Sequence, residues 1–416
     1  MTPEIKQRIE QIRRGEVPDG YQYTRHGIYP TNWTIKKVGD CIKEYKELSN
    51  DIQLIPVYSS SRKGLIPQSE YYDQKKASET NLGYKIVPNG YVTYRHMSDD
   101  DVFHFNINKT GGNILVSSEY PVFTSANGTA LGFLIPLLNS TARFRYFCRT
   151  QKLGGTRTRL YLKNLSQYSL CVPHFQEQKK IAAILTTQEK VIELQEKRLT
   201  EKQRQKKYLM QQLLTGKKRL PGFSGEWKKT KLKNILHERK TYSPKGLEYP
   251  HVTLSTEGIF PKGERYDRDH LVRDEDKEYK ITHKGDICYN PANLKFGAIC
   301  ENTFGDAIFS PIYVTFEVKK NVCREYLANY LMRWDFINAV RKYEEGTVYE
   351  RKAVKPEDFL RFEFFLPQIK EQTAIAEVLS AADREIGLLQ QDIEQEKQKK
   401  KALMQLLLMG IVRVKV

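Results

Sequence analysis

The chain has 416 residues, with 68 Lys and Arg against 50 Asp and Glu, giving a formal net charge of +18 and a pI near 9.4. That length exceeds one ordinary core, so two or more domains are expected, and the positive excess suits a polyanionic partner, nucleic acid first. Six scattered cysteines with no C-x-x-C pair argue against a disulfide framework and the common zinc patterns, while a charged N-terminus and the lack of a long apolar run argue against a signal peptide or membrane span. A cytoplasmic protein is expected.

Residues 1–33 form an N-terminal segment. Its "RIEQIRRGEVPDGYQYTRHGIYPTNW" (8–33) loosely matches "YLMQQLLTGKKRLPGFSGEW" (208–227): a helix end, a Gly, a turn and a Trp in both. The segment therefore reads as a displaced end of an internal repeat, docking near the end of the second of two long helices.

Residues 34–172 form a first globular module. Short β-branched and aromatic runs such as "YKIVPNGYVTYR", bounded by Gly, Pro and Asn turns, argue for strands. Two polar loops carry side chains suited to base edges and phosphates. "SSSRKG" offers Ser60, Ser61, Arg62 and Lys63, and "GGTRTR" offers Thr156, Arg157 and Arg159. The acidic "SDDD" (98–101) lacks the acidic-x-Lys partner of a nuclease site and reads as a solvated loop.

Residues 173–220 read as a long helix after "VPHFQEQKKIAAIL" (172–185). Ile181, Leu185, Gln188, Ile192, Gln195, Leu199, Lys202, Lys206, Leu209 and Leu213 follow steps of four and three, the heptad period of a coiled coil. Gly216 closes the helix as a left-handed C-terminal cap. The polar residues in this seam leave it too weak to stand alone, so it needs a partner helix.

Residues 221–366 form a second module, again strand-rich in "DAIFSPIYVTFEV" and "FLRFEFFLP". "LSTEG", with Ser255 and Thr256, is the counterpart of the first loop. "NPANLK" offers Asn290, Asn293 and Lys295, while "GTVYERK" offers Thr347, Tyr349, Arg351 and Lys352 in the frame of "GGTRTR". The Asn-Pro of "YNPANLKFG" lacks the following aromatic of an adenine-methyltransferase motif, and no glycine-rich cofactor loop precedes it. No phosphate-binding G-x-x-x-x-G-K-[ST] loop occurs, so no catalytic residue, metal or cofactor is assigned to this chain.

Residues 367–416 repeat the long helix. A shift of 194 residues lays "VPHFQEQKKIAAIL" on "LPQIKEQTAIAEVL", "KKYLMQQLLTG" on "KKALMQLLLMG" and Trp33 on Trp227. The seam continues through Ile375, Leu379, Ile386, Ile393 and Leu407 to Gly410. A helix of about 38 residues spans about 57 Å, whereas a module of about 150 residues has a radius of gyration of about 15 Å. Antiparallel helices spare the module from returning the chain over that length. The expected fold is α+β: two strand-rich modules at opposite ends of an antiparallel two-helix coiled coil, with a cyclic, pseudo-two-fold repeat.

Two P-x-x-x-Q phrases bracketing two dissimilar β-rich modules, with the matched "LMQQLLTG" and "LMQLLLMG" ends and "GFSGEW" opening the second half, resemble the specificity subunit of type I restriction–modification enzymes. The resemblance covers essentially the whole chain. It implies a non-catalytic subunit whose two target-recognition domains each read half of an interrupted site in double-stranded DNA. The helices, including Glu177, Gln178, Glu371 and Gln372 with the apolar seam, would set the spacing and dock two methyltransferase subunits. Those subunits would bring S-adenosylmethionine and methylate adenine N6; motor-nuclease subunits would add ATP- and Mg-dependent cleavage. A coiled-coil adaptor for protein partners, without sequence readout, is the alternative.

Overall fold

The computed structural model describes residues 2–49, 55–68, 83–126, 128–152, 156–244, 248–262, 278–344 and 353–415. It is a mixed helix–strand chain with two long helices, Phe175–Leu213 of 39 residues and Ile369–Leu408 of 40 residues. The chain divides into two units, Met1–Glu196 with Asp392–Val416, and Lys197–Gln391, the divisions falling inside both long helices.

In the first unit, helix Pro3–Arg13 opens with the Thr2 hydroxyl accepting from the Ile5 N–H at 3.4 Å and with Pro3 in its first turn. The helix buries none of its residues. Arg8 donates to the Ile411 carbonyl at 3.1 Å, and the Tyr21 hydroxyl to that of Gly410 at 2.7 Å. The module then begins and ends on one antiparallel pair, Thr34–Lys37 with Ser169–Val172. Its four-stranded sheet runs Asn106–Ile107, Val92–Thr93, Val122–Ser125, Ile42–Glu44. Tyr94, Phe105, Phe123 and Phe144 form an aromatic core between this sheet and helices Leu131–Ser140 and Ala142–Thr150. The strand reading did not anticipate Leu131–Ser140, because the apolar run "LGFLIPLLNS" is too continuous for periodicity to separate a strand from a buried helix.

The second unit repeats the frame. Lys228–Lys231 pairs with Glu363–Leu366. A four-stranded sheet runs Leu236–Glu238, Val314–Val318, Ile287–Tyr289, Ile299–Glu301, and Tyr289, Phe316 and Phe359 stack at its core. The run "FLRFEFFLP" is only partly a strand. Helix Pro356–Arg361 takes its start, because Pro356 presets the first turn and Glu357 and Asp358 favour the positive helix end.

The heptad residues are the buried ones. In the first unit these are Ile181, Leu185, Ile192, Ile393 and Leu407; in the second, Leu213, Ile375 and Leu379, with Ile386 half-buried. Several polar seam groups pair across the two helices, though the buried Gln195 Oε1 has no hydrogen-bond partner among the described residues. Gln188 donates to Glu396, and Lys400 meets Glu189 at 2.9 Å in the first unit. Lys202 meets Glu385 at 2.8 Å and Lys206 meets Asp383 at 2.5 Å in the second. Both helices end at left-handed glycines, Gly216 (φ +70°) and Gly410 (φ +69°). A Cβ there would stand 3.3 Å from Trp227 and 3.1 Å from Trp33, so the matched tryptophans seal the matched caps. Among the described residues, no helix is long and apolar enough to cross a membrane.

Candidate nucleic-acid interface

Each unit presents one two-stranded hairpin at the same repeat position. Tyr58–Ser61 pairs with Gly64–Pro67, and Val252–Ser255 with Gly258–Pro261. The frames match bond for bond. Ser61 Oγ donates to the Gly64 carbonyl at 2.9 Å and accepts from the Lys63 N–H at 3.1 Å. Ser255 Oγ donates to the Gly258 carbonyl at 3.3 Å and accepts from the Glu257 N–H at 3.1 Å. Positive φ falls on Gly64 (+116°) and Gly258 (+126°), leaving the two tip residues of each hairpin in ordinary conformations. The tips differ: Arg62 and Lys63 in one, Thr256 and Glu257 in the other, all exposed. Ser60, one residue back, is buried, and its hydroxyl accepts from Asn106 Nδ2 at 2.8 Å. It shapes the base of the hairpin and does not face solvent.

In the first unit the two predicted loops converge on the acidic one. Strand Thr158–Arg159 pairs with Met97–Ser98, which carries the Ser98–Asp101 turn between them. Arg157 Nε donates to Asp99 at 2.8 Å, Arg62 donates to Asp100, and the buried Thr158 hydroxyl donates to Asp101. Thr156, Arg157 and Arg159 are exposed. Burial alone would raise the Asp100 carboxyl, but hydrogen bonds from Arg62 and Ser98 and from the Val102 N–H outweigh it and hold the group below its usual range. A cleft of about 590 Å³ opens here, lined by Ser60 to Lys63, Arg95, Met97 to Asp99 and His104. Reading "SDDD" as a solvated loop missed this; Asp99 and Asp100 are exposed and Asp101 is half-buried, but each carboxylate is engaged.

In the second unit, Ser255 and Thr256 share a cleft of about 430 Å³ with Asn293, Phe296 and Tyr313. Asn293, Lys295 and Phe296 are exposed on one turn, with the Lys295 ammonium 5.0 Å from the Phe296 ring centre. Asn290 differs. It is buried, and its Oδ1 accepts from the Ala292 N–H at 3.2 Å, so it builds the turn that carries Asn293. Thr347, Tyr349, Arg351 and Lys352 lie outside the described residues.

The Glu-Gln phrase is an internal junction in both units. Glu177, 2% exposed, accepts both prongs of the Arg413 guanidinium at 2.7 and 2.8 Å. Glu371, also 2% exposed, accepts both prongs of Arg219 at 2.5 and 2.7 Å and the Trp227 indole N–H at 3.1 Å. The neighbouring glutamines pin the modules. Gln178 accepts from the Ala130 N–H and Gln372 from the Cys323 N–H, each at 2.9 Å, and each donates to the proline carbonyl at the head of its helix. These four groups are buried within the chain; the sequence reading grouped them with the coiled-coil and partner-docking residues. Arg219 and Arg413 escaped that reading, yet the 194-residue shift superposes them.

Comparison with known proteins matches residues 30–203 and 225–398 to the family described as the type I restriction modification DNA specificity domain. A Methanocaldococcus jannaschii protein, named as the MjaX specificity subunit of a type I restriction enzyme, is 23% identical over 95% of this chain and 97% of its own length. Two solved structures share the fold. One, from work on complex assembly and conformational transition of a type I R-M system, has a TM-score of 0.55 at 13% identity, covering 92% of this chain and 99% of that one. The other, a type I S subunit from M. genitalium, has a TM-score of 0.53 at 9% identity, covering 92% of this chain and 97% of that one.

Proposed function

The chain belongs to the type I restriction–modification DNA specificity family and carries its domain twice; from that premise we propose that each module, 34–172 and 221–366, reads one half of an interrupted site in double-stranded DNA. The observation that carries this reading is the pair of hairpins, identical in frame and different at the tip. A frame kept with tips changed is what two readers of different half-sites require. Arg62 and Arg157 would contact guanine edges, Asn293 and Thr256 would contact adenine or thymine, and Lys63 and Lys295 would contact phosphates. By their place in the repeat, Thr347, Tyr349, Arg351 and Lys352 would join the second set.

The long helices, 173–220 and 367–416, would act as an antiparallel spacer with a module at each end and residues 1–33 docked beside the second helix. Within each unit, partners on one helix rise in number as those on the other fall, from Glu189–Lys400 to Glu196–Lys397 and from Lys202–Glu385 to Lys206–Asp383, which supports that direction. Methyltransferase subunits carrying S-adenosylmethionine would dock on the helices and methylate adenine N6, and motor-nuclease subunits would use ATP and Mg to cut unmodified DNA. The chain itself would contribute recognition and no chemistry.

Spacer length tests the reading. One heptad inserted into both helices adds about 10 Å, or about three base pairs. The unspecified gap in the methylated motif should lengthen accordingly, and an unchanged gap would overturn the spacer role. Equal binding of cognate and scrambled duplexes, with partner subunits present, would favour the non-reading adaptor.

A further inference from the structure

We infer that Asp99 and Asp100 are specificity-determining positioning residues: a charge clamp that holds Arg157 and Arg62 for base edges and withholds them from phosphates. This rests on the DNA-reading role proposed above. The cations of the two reading loops, with Arg95 at the cleft, fall into two groups. Arg62 and Arg157 are paired with Asp100 and Asp99, whereas Lys63, Arg95 and Arg159 make no ion pair among the described residues. All five are exposed, and Arg62, Lys63 and Arg95 line the 590 Å³ cleft. Proximity alone would give pairing of any cation with any carboxylate, yet the two carboxylates select one arginine from each predicted reading loop.

The loop is built to do this. Ser98 Oγ donates to Asp100 at 2.9 Å and accepts from the Val102 N–H at 3.1 Å. Asp101 has φ +63°, the only positive φ at a non-glycine among the described residues, and the Thr158 hydroxyl donates to its carboxylate. Strained backbone of this kind persists where its surroundings enforce it. Here the turn aims two successive carboxylates at two different loops. An arginine fixed by a carboxylate keeps its remaining donors in a set direction, as bidentate guanine contact demands. The same pairing cancels its charge, so it adds little to non-specific phosphate attraction. Lys63, Arg95 and Arg159 keep that attraction. The first module thus separates the charges that hold DNA from those that read it.

The test uses the whole chain with the methyltransferase subunits of its own system. Duplexes carry the methylated motif, or that motif scrambled in one half or the other. D99N, D100N and the double variant should bind scrambled DNA more tightly. Each freed arginine should steepen the slope of log K against log salt by about 0.9. Discrimination should fall roughly tenfold, the scale of one bidentate base contact, and only at the half that changes when residues 34–172 are exchanged. D99E and D100E, which keep the charge, should retain most of the discrimination and the wild-type slope. An unchanged slope and discrimination in the Asn variants, or equal loss at both halves, would overturn the clamp while leaving the reading role intact. A wild-type chain that fails to distinguish the duplexes would overturn the reading role itself.

Discussion

The two hairpins separate what a reading module must keep from what it is free to change. Serine, glycine and proline recur at Ser61 and Ser255, Gly64 and Gly258, Pro67 and Pro261, and they fix strand register and turn shape. Between them, Arg62-Lys63 faces Thr256-Glu257. One tip is doubly cationic and backed by carboxylates. The other combines a neutral hydroxyl with an acid and shares a cleft with Asn293 and Phe296. A strained or buried position cannot vary without disturbing the fold; an exposed tip whose backbone is set by neighbours can. On the proposed reading, recognition would be concentrated where mutation disturbs packing least.

The junctions are the kept half of this comparison, and breaking them should have the largest effect. Glu177→Ala leaves Arg413 without its buried carboxylate, and Glu371→Ala does the same to Arg219 while also orphaning the Trp227 N–H. Each should cost about 3 kcal/mol in denaturant unfolding, the low end for a broken buried pair because the arginines are partly exposed. The loss should be similar in the two units. Damage confined to one would show that the repeat does not share its mechanics.

The tips are the varied half. Arg62→Ala should weaken binding by about 1–3 kcal/mol at one half-site only, read by competition with half-scrambled duplexes. Lys63→Ala should weaken all duplexes alike and lower the salt slope by about 1. Thr256→Ala should cost about 1 kcal/mol at the other half-site, the scale of one neutral hydrogen bond, with no change in slope. A salt-slope change from Thr256→Ala would erase the contrast between a charged reader and a neutral one.

The repeat, the heptad seam and the terminal glycines were legible because each follows from periodicity or from a residue whose backbone role is narrow. The loops "SSSRKG" and "LSTEG" were legible as counterparts, but not as hairpins, whose pairing and Ser–Gly bonds appear only in the fold. Other features depend on residues distant in sequence. Glu177 meets Arg413 and Glu371 meets Arg219 only after folding, so the phrase marked a boundary without disclosing its partner. Ser60 and Asn290 have the composition of DNA-contacting residues, but Asn106 and the Ala292 N–H occupy them. "SDDD" could be read as polar but not as paired, since Arg62 and Arg157 lie in separate loops. Helix Leu131–Ser140 was hidden because a buried helix lacks the polar face that reveals its period, whereas Ala142–Thr150 does carry such a face, with Phe144 and Cys148 buried and Arg143, Arg145 and Arg149 exposed.

Residues 34–172 should be replaced by the corresponding module of another family member, and N6-methyladenine mapped across the genome of cells carrying the wild-type or the exchanged chain. If one module reads one half-site, the methylated motif should change in one half while the other half and the gap stay fixed. A motif altered in both halves, or in neither, would contradict that reading.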